Sequence, residues 1–401
     1  MSPPDRKPNF RPHRAGRLVG DSWATRGRLA GDSGHPAFQS KSIMFNAFDA
    51  ADRHRSDVAR SIAELIERGG WAEYQHEIRD ELIDRIRRRS GAAHVRLMPS
   101  GSAAIEWALR ALSIGPSDNV AVAAMDYPGN TRAVEITGAA VTLIDIADDS
   151  PVIDPQSFDH AATRAARSDR PITAVIASHL YGHRVDAEAI AAVCQKHAVR
   201  WIDDACQMPP DSIASDQASV PGRLGDVGTY SFGGGKPIAA GSGGAIVTDD
   251  ERIAAKLRSA LDRPSDAYAL PPLVCAALTP LWDRFESTNR RRNEVARLWH
   301  RRYRILGPPP RPGDVFYKLA CRFDSPDHRD DAVARGRKLA MPIGLPFRSL
   351  HRTSPRRFAR HDELNNARWF AQHVAVLGHQ CFGRHDDDNF AIADGVLPRR
   401  S

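Results

Sequence analysis

The chain has 401 residues, 26% of them charged, and a formal net charge of +7. That length can bury a large core and predicts two domains, and no apolar run is long enough to span a bilayer. The basic residues are spread along the chain without a zinc-finger, RRM or basic-zipper pattern, so small anionic molecules, not nucleic acid, are the expected partners. The five cysteines, Cys194, Cys206, Cys275, Cys321 and Cys381, are odd in number and lack metal-like spacing. They suit a reducing cytoplasm and argue against a disulfide framework.

Residues 1–43 are rich in Arg, Pro, Gly and Ser, lack periodicity and carry no apolar signal-peptide core. They predict a disordered basic extension. Helical spacing appears over 56–90, in Ile62, Leu65 and Ile66 and again in Ile78, Leu82, Ile83 and Ile86. Apolar runs at 94–98, 119–124, 140–146, 172–177 and 199–203 then read as strands. Helical stretches near 101–113, 128–138, 155–167 and 184–197 lie between them. Strands alternating with helices predict βαβ units and a mostly parallel sheet covered on both faces. Shorter strands follow at 226–232 and 243–248, then a helix at 250–261 and an Arg-rich helix near 280–306. The run Gly307-Pro308-Pro309-Pro310-Arg311-Pro312 ends that helix, and a strand at 316–323 opens a mixed α/β remainder. The expected division is a large domain over 44–270 and a small one over 271–401.

Lys236 is one of seven lysines in a chain whose basic residues are mostly arginine. It follows Tyr230-Ser231-Phe232 and three glycines. An amine attacks an aldehyde only when deprotonated, and lysine, unlike arginine, can be driven to that state by its surroundings. Upstream, Trp201-Ile-Asp203-Asp204-Ala-Cys-Gln207 places carboxylates at the end of an apolar run, where an active-site strand would end. Lysine with a buried carboxylate is the minimal kit for pyridoxal phosphate (PLP) chemistry. Asp204 can pair with a pyridinium nitrogen, and Asp203 points the other way if the strand continues. Pro99-Ser100-Gly101-Ser102-Ala103 joins a strand to a helix and is either a phosphate cradle or a plain cap formed by Ser100 or Ser102. Tyr127 follows a strand and can stack on a flat ring. Ser231 lies five residues before Lys236 and can reach a phosphate.

Other patterns are weaker. Gly233-Gly234-Gly235-Lys236 is no P-loop, because Tyr230 and Pro237 replace its required first glycine and last hydroxyl residue. His179 and His183 lack the acidic residue of a zinc-protease pair. His385-Asp386-Asp387-Asp388 reads as a solvated charge run, so no metal is expected.

Taken in order, these segments resemble the DegT/DnrJ/EryC1/StrS family. The carrying residues are Ser100-Gly101-Ser102-Ala103-Ala104-Ile105, the gap-free stretch Val120–Ile146, the run Ile176–Ile190, Ile202–Gln207, Gly225–Phe232, Lys236 and Gly241–Thr248, with Gly70-Trp71 upstream. The likeness covers about residues 56–305. It implies a PLP-dependent transferase of fold type I: a mostly parallel seven-stranded sheet with helices on both faces and a smaller C-terminal α/β domain. It implies a cytoplasmic homodimer that moves an amino group from glutamate or glutamine to a keto sugar, often nucleotide-linked, or a keto-cyclitol. Such enzymes serve cell-surface glycan or secondary-metabolite synthesis. Lys236 would carry the cofactor and shuttle the proton, Asp204 would hold the pyridinium, Gln207 would approach the ring hydroxyl, and Tyr127 would stack on the ring. Ser102, the Ala103 backbone and Ser231 would bind the phosphate. Two departures stand out. Gly241-Ser242-Gly243-Gly244 has serine where the family has an acid, and Asp262–Tyr268 stands where a Gly-x-Asn-x-Arg segment is usual. Elimination or dehydration on a related sugar, and a non-catalytic member, are the alternatives.

Overall fold

The computed structural model describes residues 54–211, 220–262, 267–353, 357–382 and 387–400. The extension expected over 1–43 lies outside the described residues. Two helices come first among the described residues, α1 (Arg55–Glu67) and α2 (Glu77–Ser90). The alternating body follows: β1 (His94–Met98), α3 (Gly101–Ala111), β2 (Asn119–Ala123), α4 (Pro128–Thr137), β3 (Ala140–Ile144), α5 (Pro155–Ala165), β4 (Ala174–Ser178), α6 (Ala187–His197), β5 (Arg200–Asp204), β6 (Val227–Ser231), β7 (Gly244–Thr248) and α7 (Glu251–Leu261). The remainder holds α8 (Pro272–Arg302), β8 (Leu319–Arg322), α9 (Pro326–Lys338), β9 (Ile343–Gly344), α10 (Leu350–Thr353), β10 (Ala359–Arg360), α11 (Asn365–His373), β11 (Val374–Leu377) and α12 (Asp387–Asp394).

Local chemistry explains the boundaries. Asp154, Asp186 and Asp250 each accept a backbone N–H from the first turn of the helix that follows them. Proline occupies the first position of α4 and α5, where its missing N–H costs nothing. β2 and β4 are buried at every residue, which is why they read as unbroken apolar runs.

The main sheet runs β1-β7-β6-β5-β4-β2-β3-β10. The pairs from β6 through β5, β4, β2 and β3 to β10 are parallel, and β7 is antiparallel to both neighbours. The seven expected strands are present, and the two-residue β10 adds an eighth at the β3 edge. A three-stranded antiparallel sheet, β8-β11-β9, forms a second layer.

α8 begins at Pro272 rather than near residue 280, and Pro280 lies inside it. An interior proline frees the carbonyl four residues back. Here that carbonyl, on Ala276, accepts a hydrogen bond from Ser61 Oγ of α1 at 2.8 Å, so the helix continues. The first half of α8 packs Cys275, Leu278, Trp282 and Phe285 with α2 and β7, while Val295, Ala296 and Trp299 join the core around β8 and β11.

A crevice at the carboxyl edge of the sheet

The parallel strands end on one edge, and the turns that follow them build the site, as open α/β sheets do. After β1, Ser100 caps α3 by accepting the Ala103 N–H at 3.1 Å. The cap reading therefore holds for Ser100, and the Ala103 N–H is already engaged. Gly101 lies against the end of β6: a Cβ there would sit 2.6 Å from Ser231 Cβ and 2.9 Å from Ser231 Oγ. Ser102, at the start of the helix, and Ser231 thus flank the positive end of α3, where backbone N–H groups point outward. Ser242 donates to the Pro99 carbonyl at 2.7 Å, fastening the 241–244 loop to the same turn.

The two aspartates closing β5 divide as strand alternation requires. Asp203 is completely buried in the body of the protein. It accepts from His179 Nε2 at 2.9 Å and from the N–H groups of Gly222 and Leu224 at 2.6 and 3.0 Å. Asp204, 5% exposed, faces the crevice side. Its Oδ1 accepts the Cys206 N–H at 3.0 Å, and its Oδ2 accepts from Ser178 Oγ and Asn130 Nδ2 at 2.8 and 2.9 Å.

Asp126, which sequence reasoning passed over in favour of its neighbour Tyr127, shares that network. Its Oδ2 lies 2.8 Å from Ser178 Oγ and 3.1 Å from Asn130 Nδ2, and its Oδ1 accepts the Tyr127 N–H at 2.7 Å. One hydroxyl hydrogen cannot serve two carboxylates at once, so a proton on one of them completes the network. Burial, then the neighbouring Asp204 charge, raise the Asp126 carboxyl to about 7.

Gln207 is buried, and its Oε1 accepts the Tyr181 N–H at 2.9 Å. The amide is thereby oriented with its NH₂ group as the remaining donor. Tyr181 takes a left-handed conformation, φ +61°, which costs a non-glycine residue free energy unless its surroundings hold it. They do: its carbonyl accepts the N–H groups of Tyr317 and Lys318 at 3.0 and 3.2 Å, and its hydroxyl accepts the Phe347 N–H at 3.1 Å. Tyr127 is 43% exposed, with its ring over Gly129 and edge-on to Phe347 at 5.9 Å.

Lys236 ends the 233–235 glycine run, its N–H donating to the Gly233 carbonyl at 3.2 Å. Gly235 has φ +77°, and a Cβ there would strike the His379 ring. The Lys236 ammonium lies 4.8 Å from the centre of the Tyr317 ring. Burial lowers its pKa, opposed by Cys206, Asp204 and Asp126. That is the direction a nucleophilic amine requires. Cys206 is itself inert: burial and Asp204 push its thiol well above the ordinary range. The structure thus brings Ser102, Ser231, Asp204, Gln207 and Lys236 to one edge, with Tyr127 at its rim. Lys318, Tyr181, Tyr317 and Asp126 complete it and were not singled out in the sequence.

Residues 263–266, within the segment that replaces Gly-x-Asn-x-Arg, lie outside the described residues. Beside them, Tyr268 packs edge-on to Trp107 at 5.1 Å. His385 and Asp386 also fall outside, as do the side chains of Asp387 and Asp388. Among the described residues no group of three or more His, Cys, Asp or Glu could hold a metal ion, and no helix is long and apolar enough to cross a membrane. The five cysteines are buried and free.

A mostly parallel sheet with a lysine and a buried carboxylate at its carboxyl edge matches the architecture expected of fold type I. The chain belongs to the DegT/DnrJ/EryC1/StrS aminotransferase family, whose model matches residues 53–381. It is 34% identical over 169 residues to GDP-perosamine synthase of Caulobacter vibrioides, covering 42% of this chain and 43% of that protein. It is 29% identical over 168 residues to L-glutamine:2-deoxy-scyllo-inosose aminotransferase of Streptoalloteichus tenebrarius, covering 42% and 38%. The chain thus spans less than half the length of the curated relatives it matches here. The crystal structure of a DegT DnrJ EryC1 StrS aminotransferase from Brucella abortus superposes with a TM-score of 0.76 at 19% identity, covering 85% of this chain and 95% of that one. That likeness establishes the shared fold.

Proposed function

We propose that this chain is a PLP-dependent aminotransferase. It would take an amino group from glutamate or glutamine and deliver it to the ketone of a sugar, nucleotide-linked in one version, or of a cyclitol. The observation that carries the reading is the convergence of an amine with lowered pKa, Lys236, and a buried carboxylate, Asp204, on the edge where Gly101 and Ser231 meet. These residues fit the cofactor's chemistry. A helix N-terminus with two flanking hydroxyls, Ser102 and Ser231, suits a phosphate. A buried acceptor suits a pyridinium, Gln207 offers a donor for a ring oxygen, and Tyr127 offers a face for stacking. When bound, PLP supplies the electron sink that lets an amino-bearing carbon lose its proton.

This chain's residues would do the rest. Asp204 would keep the ring nitrogen protonated. The amine of Lys236 would anchor the cofactor and, when free, would take and return the proton of the amino-bearing carbon. Tyr317 would cover that amine with its ring. The crevice would lie where the 44–270 domain meets the 271–401 domain, with the active unit a homodimer. Buried cysteines free of disulfides suit a reducing compartment such as the cytoplasm.

The test is the visible absorption spectrum of the protein with PLP, before and after glutamate or glutamine. We expect a yellow band that bleaches with the donor. Lys236→Ala should retain PLP yet give no bleaching. A wild-type band indifferent to both donors, or no band at all, would sink the proposal.

A further inference from the structure

Lys318 lies one residue before β8 in the run Phe316-Tyr317-Lys318-Leu319. Its ammonium sits among three aromatic rings, 4.9 Å from the centre of Tyr317, 5.6 Å from Phe347 and 5.7 Å from Tyr181. Lys236 lies 4.8 Å from the centre of the same Tyr317 ring, so one ring contacts both amines. Among the described residues no carboxylate pairs with Lys318.

Burial, and then the charge of Lys236, lower the Lys318 pKa to about 8, which leaves it mostly cationic near neutrality. Aromatic faces stabilise a cation, yet supply no hydrogen-bond acceptor of the strength a half-dehydrated ammonium can use. The backbone holds this arrangement firmly: the Lys318 N–H and that of Tyr317 both donate to the Tyr181 carbonyl, and the Gly182 Cα lies against Val315 and Phe316. A half-buried cation that no carboxylate pairs among the described residues is one half of an ion pair.

We propose that Lys318 binds a carboxylate of the amino-acid donor. This rests on the aminotransferase reading above. Distance along the substrate favours a carboxylate over a phosphate. An α-carboxylate is one bond from the amino-bearing carbon that must meet Lys236, whereas the phosphates of a nucleotide-linked sugar lie across the sugar ring from a reacting ketone. A single ammonium also matches one carboxylate better than a diphosphate. The rings of Tyr181, Tyr317 and Phe347 restrict the lysine's rotamers, so less side-chain freedom is lost when the anion arrives.

The test uses the PLP-loaded protein and glutarate, a dicarboxylate with no amine to transfer, titrated calorimetrically against wild type, Lys318→Met and Lys318→Arg. We expect glutarate affinity to fall at least ~10-fold in Lys318→Met, as loss of a charged hydrogen bond implies, and to return largely in Lys318→Arg. The PLP absorption band and affinity for UDP should stay unchanged in both, which separates the effect from misfolding. Equal glutarate affinity in wild type and Lys318→Met overturns the proposal, as does a wild type that binds no glutarate. Loss of UDP affinity with glutarate unaffected also overturns it, assigning the lysine to a phosphate instead. Bleaching of wild type by glutamate is scored separately, so failure of the aminotransferase reading is distinguishable from failure of this one.

Discussion

Replacing Asp126 with asparagine tests the shared-proton network behind Asp204. In the folded chain the Asp126 carboxyl is raised from its ordinary 3.8 to about 7. A group with a raised acid pKa holds more protons folded than unfolded between those two values. Its contribution to stability is therefore greatest at low pH and is lost as pH rises through the folded pKa. At about 1.4 kcal/mol per pH unit, the full swing is on the order of 4 kcal/mol. The substituted side chain cannot ionise, although it can still accept the Tyr127 N–H through its oxygen. Its amide meets the Asn130 amide, a donor facing a donor, so the variant should be the less stable protein near pH 5. Between about pH 5 and pH 9 the difference should move in the variant's favour by roughly 2–4 kcal/mol. Urea unfolding without PLP, at one protein concentration and several pH values, measures this directly. Stability curves that run parallel across that window would refute the reasoning, because Asp126 would then carry no pH-linked proton.

Two glycines give further tests. Gly101→Ala places a Cβ 2.6 Å from Ser231 Cβ and should separate the helix start from β6. PLP affinity should fall by about tenfold or more while the fold persists; an unchanged binding isotherm would mean that this junction is not the phosphate end. Gly182 has φ +96°, and a Cβ there would meet the Val315 carbonyl oxygen at 2.2 Å. Gly182→Ala should cost at least about 2 kcal/mol in chemical unfolding, and a loss below about 0.5 kcal/mol would show that the contact relaxes freely. Sedimentation of the purified chain should give twice the monomer mass, and a monomer retaining the glutamate response would contradict the homodimer.

Much of this architecture was legible because apolar runs and helical spacings alternate so regularly from residue 94 to 248. Strands such as β2 and β4, buried on both faces, read as unbroken apolar runs of strand length between helical stretches. Asp204, Gln207, Ser231 and Lys236 stand in local runs whose residue types already suggest their chemistry. Asp126, Asn130 and Ser178 carry no such signal, since the parallel order β5-β4-β2 is what brings the Asp126–Asn130 turn beside Ser178 and Asp204. Lys318 had a faint one: a lysine at the edge of a strand otherwise fit for burial. The start of α8 was misplaced because Pro280 reads as a helix breaker until Ser61, over two hundred residues away, is seen to satisfy the freed carbonyl.

The paired aspartates at the end of β5 also limit how this chain can change length. Asp203 fastens the 220–224 loop, and Asp204 faces the crevice, solely because consecutive strand residues point to opposite sides. An inserted or deleted residue can be absorbed in the turn at Ala198, whose left-handed backbone already marks a break between α6 and β5. The same event inside β5 would hand each carboxylate the other's task, leaving the loop without its anchor and the crevice without its acid. Drift in length is therefore open to the connections of this fold and closed to a five-residue strand at its centre.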